Sequence, residues 1–136
     1  MHEKRMAIRW RDVDACQHVN NSVYLTYLEE VRDEWFECTV GSVEGAGGFV
    51  LVRVAIDFRR ELTLADEAVS ATCAIKTYGN SSITTLEEIR AAEGWLAPAA
   101  ESVMVAHDPS TRESRGLSAY EKAALDRELK IDNPST

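Results

Sequence analysis

The chain has 136 residues, is 45% hydrophobic and 28% charged, and carries a formal net charge of −8. That length suits one domain with a modest core, and the apolar-to-charged balance excludes wholesale disorder. No apolar run approaches the ~20 residues of a membrane span, and an isoelectric point near 4.9 argues against a general nucleic-acid binder.

The start, Met-His-Glu-Lys-Arg-Met, lacks an apolar signal-peptide core. Cys16, Cys38 and Cys73 make neither a disulfide framework nor a zinc motif, so a reducing cytoplasm is expected. Met6, Ile8 and Trp10 share one parity and Arg5, Arg9 and Arg11 the other, which predicts a strand over 5–11. From residue 21 to about 37 the period lengthens. Tyr24, Tyr27, Leu28, Val31 and Trp35 form one stripe of an amphipathic helix, with Thr26, Glu29, Glu30, Arg32 and Asp33 mostly opposite. Asn20 or Asn21 can cap its first turn. Gly41, Gly45, Gly47 and Gly48 mark a loop. Val50, Val52, Val54, Ile56 and Phe58 then alternate with Leu51, Arg53, Ala55, Asp57 and Arg59, the cleanest strand in the chain. A strand over 67–78, a turn at Gly79-Asn80-Ser81 and a partner strand over 82–90 follow. Glu93-Gly94 makes another turn, 95–107 a last long strand, and 118–129 a terminal helix capped by Ser118 with Glu121 three residues on. The expectation is one domain over 1–136, with its core at about 5–108 and a C-terminal helix at about 118–130. Long strands with tight connections imply an antiparallel sheet whose apolar face needs the one long helix as cover. The fold class is α+β.

Asp12, Asp14, His18, Asn20 and Asn21 crowd the loop between the first strand and the helix. A helix starting near Asn21 presents unpaired N–H groups and the positive end of its dipole, which can stabilise an oxyanion on a substrate carbonyl. Asp14 beside it can act as general base or attack directly; its other role is to cap a turn. His18 can serve as second base or carbonyl donor, or hold the loop through a ring N–H. Asp12 reads as structural, tying the end of the first strand. Tyr24 reads as pocket wall or core, because it falls on the apolar stripe. Cys16 lacks the partners of a nucleophilic thiol, and His2 and His107 lack neighbours at metal-ligand spacing.

Asp12-Val13-Asp14, followed by His18-Val19-Asn20-Asn21 and Tyr24, resembles the signature of hot-dog-fold acyl-CoA thioesterases. The likeness is to the 4-hydroxybenzoyl-CoA thioesterase-like branch and its long-chain acyl-CoA relatives. It continues through 29–32, 54–60, 79–83 and 103–108, in order. The resemblance implies a five-stranded antiparallel sheet wrapped around one long central helix. It also implies an acyl-CoA thioester as substrate, with no metal or redox cofactor. By the resemblance Asp14 is the catalytic carboxylate, and the oxyanion donor is the backbone N–H of Asn21, seven residues on, with Asn20 beside it. His18 or Asn20 would assist, and Tyr24, Tyr27 and Leu28 would line the acyl pocket. The phosphates of coenzyme A need cationic or N–H donors, for which Arg59, Arg60, Ser81 and Ser82 are the candidates. Members of the family pair edge to edge, so a homodimer or homotetramer is implied, with no nucleic acid and no membrane insertion. Several relatives carry a glycine between the aspartate and the helix, where this chain has Cys16-Gln17. An acyl-carrier-protein thioesterase, a dehydratase and a non-catalytic acyl-CoA binding protein are the alternatives on the same scaffold.

Overall fold

The computed structural model describes residues 1–41 and 48–133, so most of the glycine loop expected at 41–48 lies outside the described residues. The apolar stripe forms helix α1 (Asn21–Thr39), and the alternating segments form β1 (His2–Ala7), β2 (Phe49–Phe58), β3 (Ala68–Tyr78), β4 (Ser82–Ala91) and β5 (Leu96–Asp108). A two-residue strand, β6 (Glu113–Ser114), pairs with the end of β5, and helix α2 (Ala119–Asp132) follows. The sheet order is β1-β3-β4-β5-β2, and every pairing is antiparallel.

Tyr24, Tyr27, Leu28, Val31, Trp35 and Phe36 of α1 share one core with the inward residues of the sheet. Those residues are Val69, Ala71, Cys73 and Ile75 on β3, Ile83 and Ile89 on β4, and Ala97, Ala100, Met104 and Ala106 on β5. Burying each large side chain is worth about 1.5–3 kcal/mol, so this face, and not helix propensity, fixes α1 on the sheet. Ala124 and Leu125 bring α2 onto the same core. Its start is the expected cap, with Ser118 Oγ accepting from Glu121 N at 3.1 Å and Glu121 Oε1 from Ser118 N at 2.8 Å.

Three expectations are corrected. The first strand ends at Ala7, not Arg11, and Trp10–Asp12 form a 3-10 turn. Asp12 Oδ2 accepts from Arg9 N at 2.9 Å, and Asp12 N donates to Arg9 O at 2.9 Å. These local bonds take the backbone out of the ladder, and Trp10, on the supposed inward parity, is 81% exposed. The alternation of β2 is split by a bulge between Leu51 and Arg53. Phe49 and Leu51 therefore share the inward face with Val54 and Ile56, and Val50 lies opposite. Arg32, read as solvent-facing, is buried and donates through Nη1 to Glu87 Oε1 at 3.0 Å and Ser102 Oγ at 3.3 Å. Glu87 Oε2 also accepts from Ser102 Oγ at 2.9 Å. Burial pushes the Glu87 carboxyl up against the opposing pull of Arg32 and Ser102.

Candidate functional site

Between the loop at 13–20, the first turn of α1 and the segment following β2 lies a cleft of about 530 Å³. Asp14, His18, Asn20, Asn21, Tyr24, Arg59 and Arg60 all line it, together with Val19, Phe58 and Glu61. The loop is laced to the wall opposite: Val19 N donates to Leu62 O at 2.8 Å, and His18 bridges to Thr63. Gln17 holds φ +66°, the left-handed conformation that glycine adopts freely, in the stretch where relatives carry a glycine. The local backbone course keeps a glycine-like bend without the residue.

Inside that bend Asp14 is anchored by one carboxylate oxygen. Its Oδ1 accepts from Cys16 N at 2.9 Å and His18 N at 3.3 Å, while Oδ2 has no hydrogen-bond partner among the described residues. The result is an oriented carboxylate with one oxygen left over, which is what a general base or nucleophile requires.

The N–H groups at the start of α1 can be accounted for one by one. Asn20 N donates to Asp12 O at 2.9 Å, Ser22 N to the Asn20 side chain at 3.0 Å, and Val23 N to Asn20 O at 2.9 Å. Asn21 N has no partner among the described residues. Asn20 is therefore the N-cap, with its own N–H committed, and of the backbone N–H groups at residues 20–23 only that of Asn21, a cleft-lining residue, has no partner among the described residues.

His18 Nδ1 lies 3.2 Å from Glu61 Oε2, and its hydrogen bonds to Asp14 run through the backbone. The Tyr24 hydroxyl accepts from Leu62 N at 2.9 Å, and its ring meets Phe58 edge-on at 5.5 Å. Tyr24 thus lines the cleft and anchors the backbone at Leu62, and burial raises its pKa. Asp12 is 1% exposed and accepts from the Tyr27 hydroxyl at 2.7 Å and from Arg9 Nη2 at 3.1 Å. Burial alone would raise its pKa, but the Arg9 N–H, the Tyr27 hydroxyl and the Arg9 guanidinium hold it below the usual carboxylate range.

Arg59 is fixed by its N–H to Ala97 O at 2.9 Å, and neither Arg59 nor Arg60 ion-pairs with a carboxylate among the described residues. The Arg60 guanidinium carbon stands 4.2 Å from the centre of the Trp95 ring. On the other flank of the Asp14 loop lies a second groove of about 520 Å³, lined by Trp10, Arg11, Val13, Ala15, Gln17, Leu64 and Asp14 itself.

Other expected residues stand apart. Ser82 pairs with Val105, whereas Arg59 meets Ala97, eight residues away along β5. At about 3.3 Å per residue that is roughly 26 Å, so Ser81 and Ser82 do not reach this cleft in the same chain. Tyr27 and Leu28 are core, 2% and 0% exposed, and do not line an acyl pocket. Glu61, Trp10 and Trp95 were not anticipated. Glu61 carried a usable signal, since it directly follows Arg59-Arg60. Trp95 carried none, because only the strand pairing brings it to Arg60. Among the described residues no three His, Cys, Asp or Glu side chains gather as metal ligands, and no helix is long and apolar enough to cross a membrane.

Residues 8–130 match the family model described as the thioesterase-like superfamily. The chain is 26% identical over 135 residues to the long-chain acyl-CoA thioesterase FadM of Escherichia coli K12, covering 94% of this chain and 99% of that one. A thioesterase from Thermus thermophilus, solved with coenzyme A and Zn, superposes with a TM-score of 0.81 at 27% identity, covering 93% of this chain and 92% of the other. The probable thioesterase YbaW of Escherichia coli gives a TM-score of 0.79 at 25% identity, covering 96% and 100%.

Proposed function

The chain belongs to the thioesterase-like superfamily and carries its hot-dog fold, and from that premise we propose that it hydrolyses an acyl-CoA thioester to the free carboxylic acid and coenzyme A. One observation carries the reading: Asp14, whose Oδ2 has no partner among the described residues, and Asn21, whose N–H has none, line the same cleft. The thioester carbonyl oxygen accepts from Asn21 N, where the helix dipole adds to the hydrogen bond as negative charge develops. Asp14 either removes a proton from water as it attacks the carbonyl carbon or attacks that carbon itself. In the first route the proton held by Asp14 passes to sulfur as the carbon–sulfur bond breaks; in the second a mixed anhydride forms on Asp14, and the water that hydrolyses it returns the carboxylate, releases the acid and supplies the proton of the coenzyme A thiol. In this reading His18, whose Nδ1 lies 3.2 Å from Glu61 Oε2, assists water or the leaving sulfur.

The two grooves that share Asp14 suggest a division of the substrate. The end of the cleft at Arg59 and Arg60 takes the phosphorylated arm, and the groove with Trp10, Val13, Ala15 and Leu64 takes the acyl chain. At the sheet edge, β2 exposes Val50 (44%), Val52 (58%) and Phe58 (50%). An edge unpaired among the described residues and carrying apolar side chains invites a second strand, which supports a homodimer. Light scattering coupled to size exclusion reads that state directly.

Asp14→Asn and Asp14→Ala should each abolish thiol release, followed with dithionitrobenzoate, while circular dichroism stays that of the parent. Near-normal rates in both variants would end the assignment. Binding of acyl-CoA by the parent protein with no thiol release would favour the non-catalytic alternative.

A further inference from the structure

We propose that Trp95 is a positioning residue for the phosphate-bearing arm of the substrate, holding the Arg60 guanidinium at the cleft mouth with its N–H edge free. The inference rests on the acyl-CoA reading above and names a residue that this reading does not contain. Trp95 is half-buried at the entry to β5. The turn before it is tied twice, by Ala91 N to Trp95 O at 3.0 Å and Gly94 N to Ala91 O at 2.8 Å. Its side chain packs against the core, and Arg60 lies over the ring at 4.2 Å.

A guanidinium resting on an aromatic face uses its flat side for the contact and keeps its donors at the rim. Arg60 makes no hydrogen bond to another described residue, so those donors stay available. Glu61, next in sequence, lies 3.2 Å from His18 Nδ1 and makes no ion pair with Arg60. Arg59 stands beside it, also without a carboxylate partner among the described residues. Two arginines at one rim with no ion-pair partner among the described residues, in a chain of net charge −8, fit a diphosphate or phosphomonoester held locally against an unfavourable overall field.

The test compares the protein with Trp95→Leu and Trp95→Phe on two thioesters of the same acyl group, one of coenzyme A and one of N-acetylcysteamine, which has no phosphate. Trp95→Leu should raise KM for the coenzyme A ester by about three- to tenfold with kcat nearly unchanged. Its kinetics on the N-acetylcysteamine ester should not move, and Trp95→Phe should recover most of the loss. An unchanged KM for the coenzyme A ester, or an equal loss on both esters, would overturn the proposal, the second by marking Trp95 as structural. Calorimetric binding of coenzyme A gives a second readout that needs no turnover. If the parent protein cleaves neither ester, the thioesterase reading fails. The Trp95 proposal is then decided by whether Trp95→Leu weakens coenzyme A binding by the same factor.

Discussion

Replacing Asn21 by proline deletes one N–H from the helix start and disturbs little else. Asn21 is the first helical residue, a position where proline is favoured because the N–H has no partner within the helix. Asn20 already sits at φ −64° and ψ 140°, the extended conformation that a following proline demands. No hydrogen bond is lost, since Asn20, Ser22 and Val23 carry the bonds of the first turn and Asn21 N carries none. Stability should therefore hold or rise by about 0.4–1 kcal/mol through the stiffer unfolded chain. Activity should not hold. Removing one preorganised oxyanion donor costs about 2.7–4 kcal/mol of transition-state stabilisation, or roughly 10²–10³ in kcat. Thiol release under saturating acyl-CoA measures the loss, and urea melts at fixed protein concentration confirm the fold. Asn21→Ala keeps the N–H and should stay within a few-fold of the parent. The geometry is refuted if folded Asn21→Pro turns over within tenfold of the parent, or if Asn21→Ala falls as far as Asn21→Pro.

Arg32→Met leaves the Glu87 carboxyl buried beside Ser102 and Thr85 without its cation. The folded variant then keeps a proton that the unfolded chain releases above about pH 4.3, so its stability should fall as pH rises by up to about 1.4 kcal/mol per unit, and the gap to the parent, where Arg32 favours the carboxylate against burial, should widen with pH. Equal losses in urea melts at pH 5 and pH 7 would contradict this. Gln17→Gly relieves the left-handed conformation at φ +66° and should stabilise by about 0.5–1 kcal/mol in the same melts, with turnover retained. Trp10→Ala removes the largest wall of the second groove and should lower kcat/KM for long acyl chains by about tenfold while leaving short ones nearly unchanged, read across a panel of acyl-CoA lengths.

What the sequence discloses here follows how local the physics is. The stripe of α1, the Ser118 cap and the antiparallel strands are set by spacing within single segments, and they stand in the structure within a few residues of their expected bounds. Trp10 followed the strand period but not the strand, because Asp12 three residues from Arg9 offered the backbone a closer partner. Arg32 sat among charged neighbours in the sequence, and only the sheet beneath α1 supplied the Glu87 and Ser102 that make its burial tolerable. The same division runs through the cleft. Asp14, His18, Asn20 and Asn21 lie within one loop and its helix start, and they meet as their spacing suggests. Ser81 and Ser82 were grouped with Arg59 and Arg60 by chemistry alone, and the strand register separates them. Trp95 reaches Arg60 through that same register, which no local pattern encodes.

Asp12 shows how a residue that reads as structural shapes the chemistry next to it. Its carboxylate is consumed by Tyr27 and Arg9, so it offers the cleft no second base to compete with Asp14. Its carbonyl takes the N–H of Asn20, which removes that donor from the cleft as well. Had Asn20 N remained free, two adjacent donors would point toward a substrate oxygen and their shares could not be separated by one substitution. With Asn20 committed, the first turn of α1 keeps one N–H, that of Asn21, without a partner among the described residues. The tie from Tyr27 in the core, through Asp12, to Asn20 thus sets both where α1 begins and which single donor it presents.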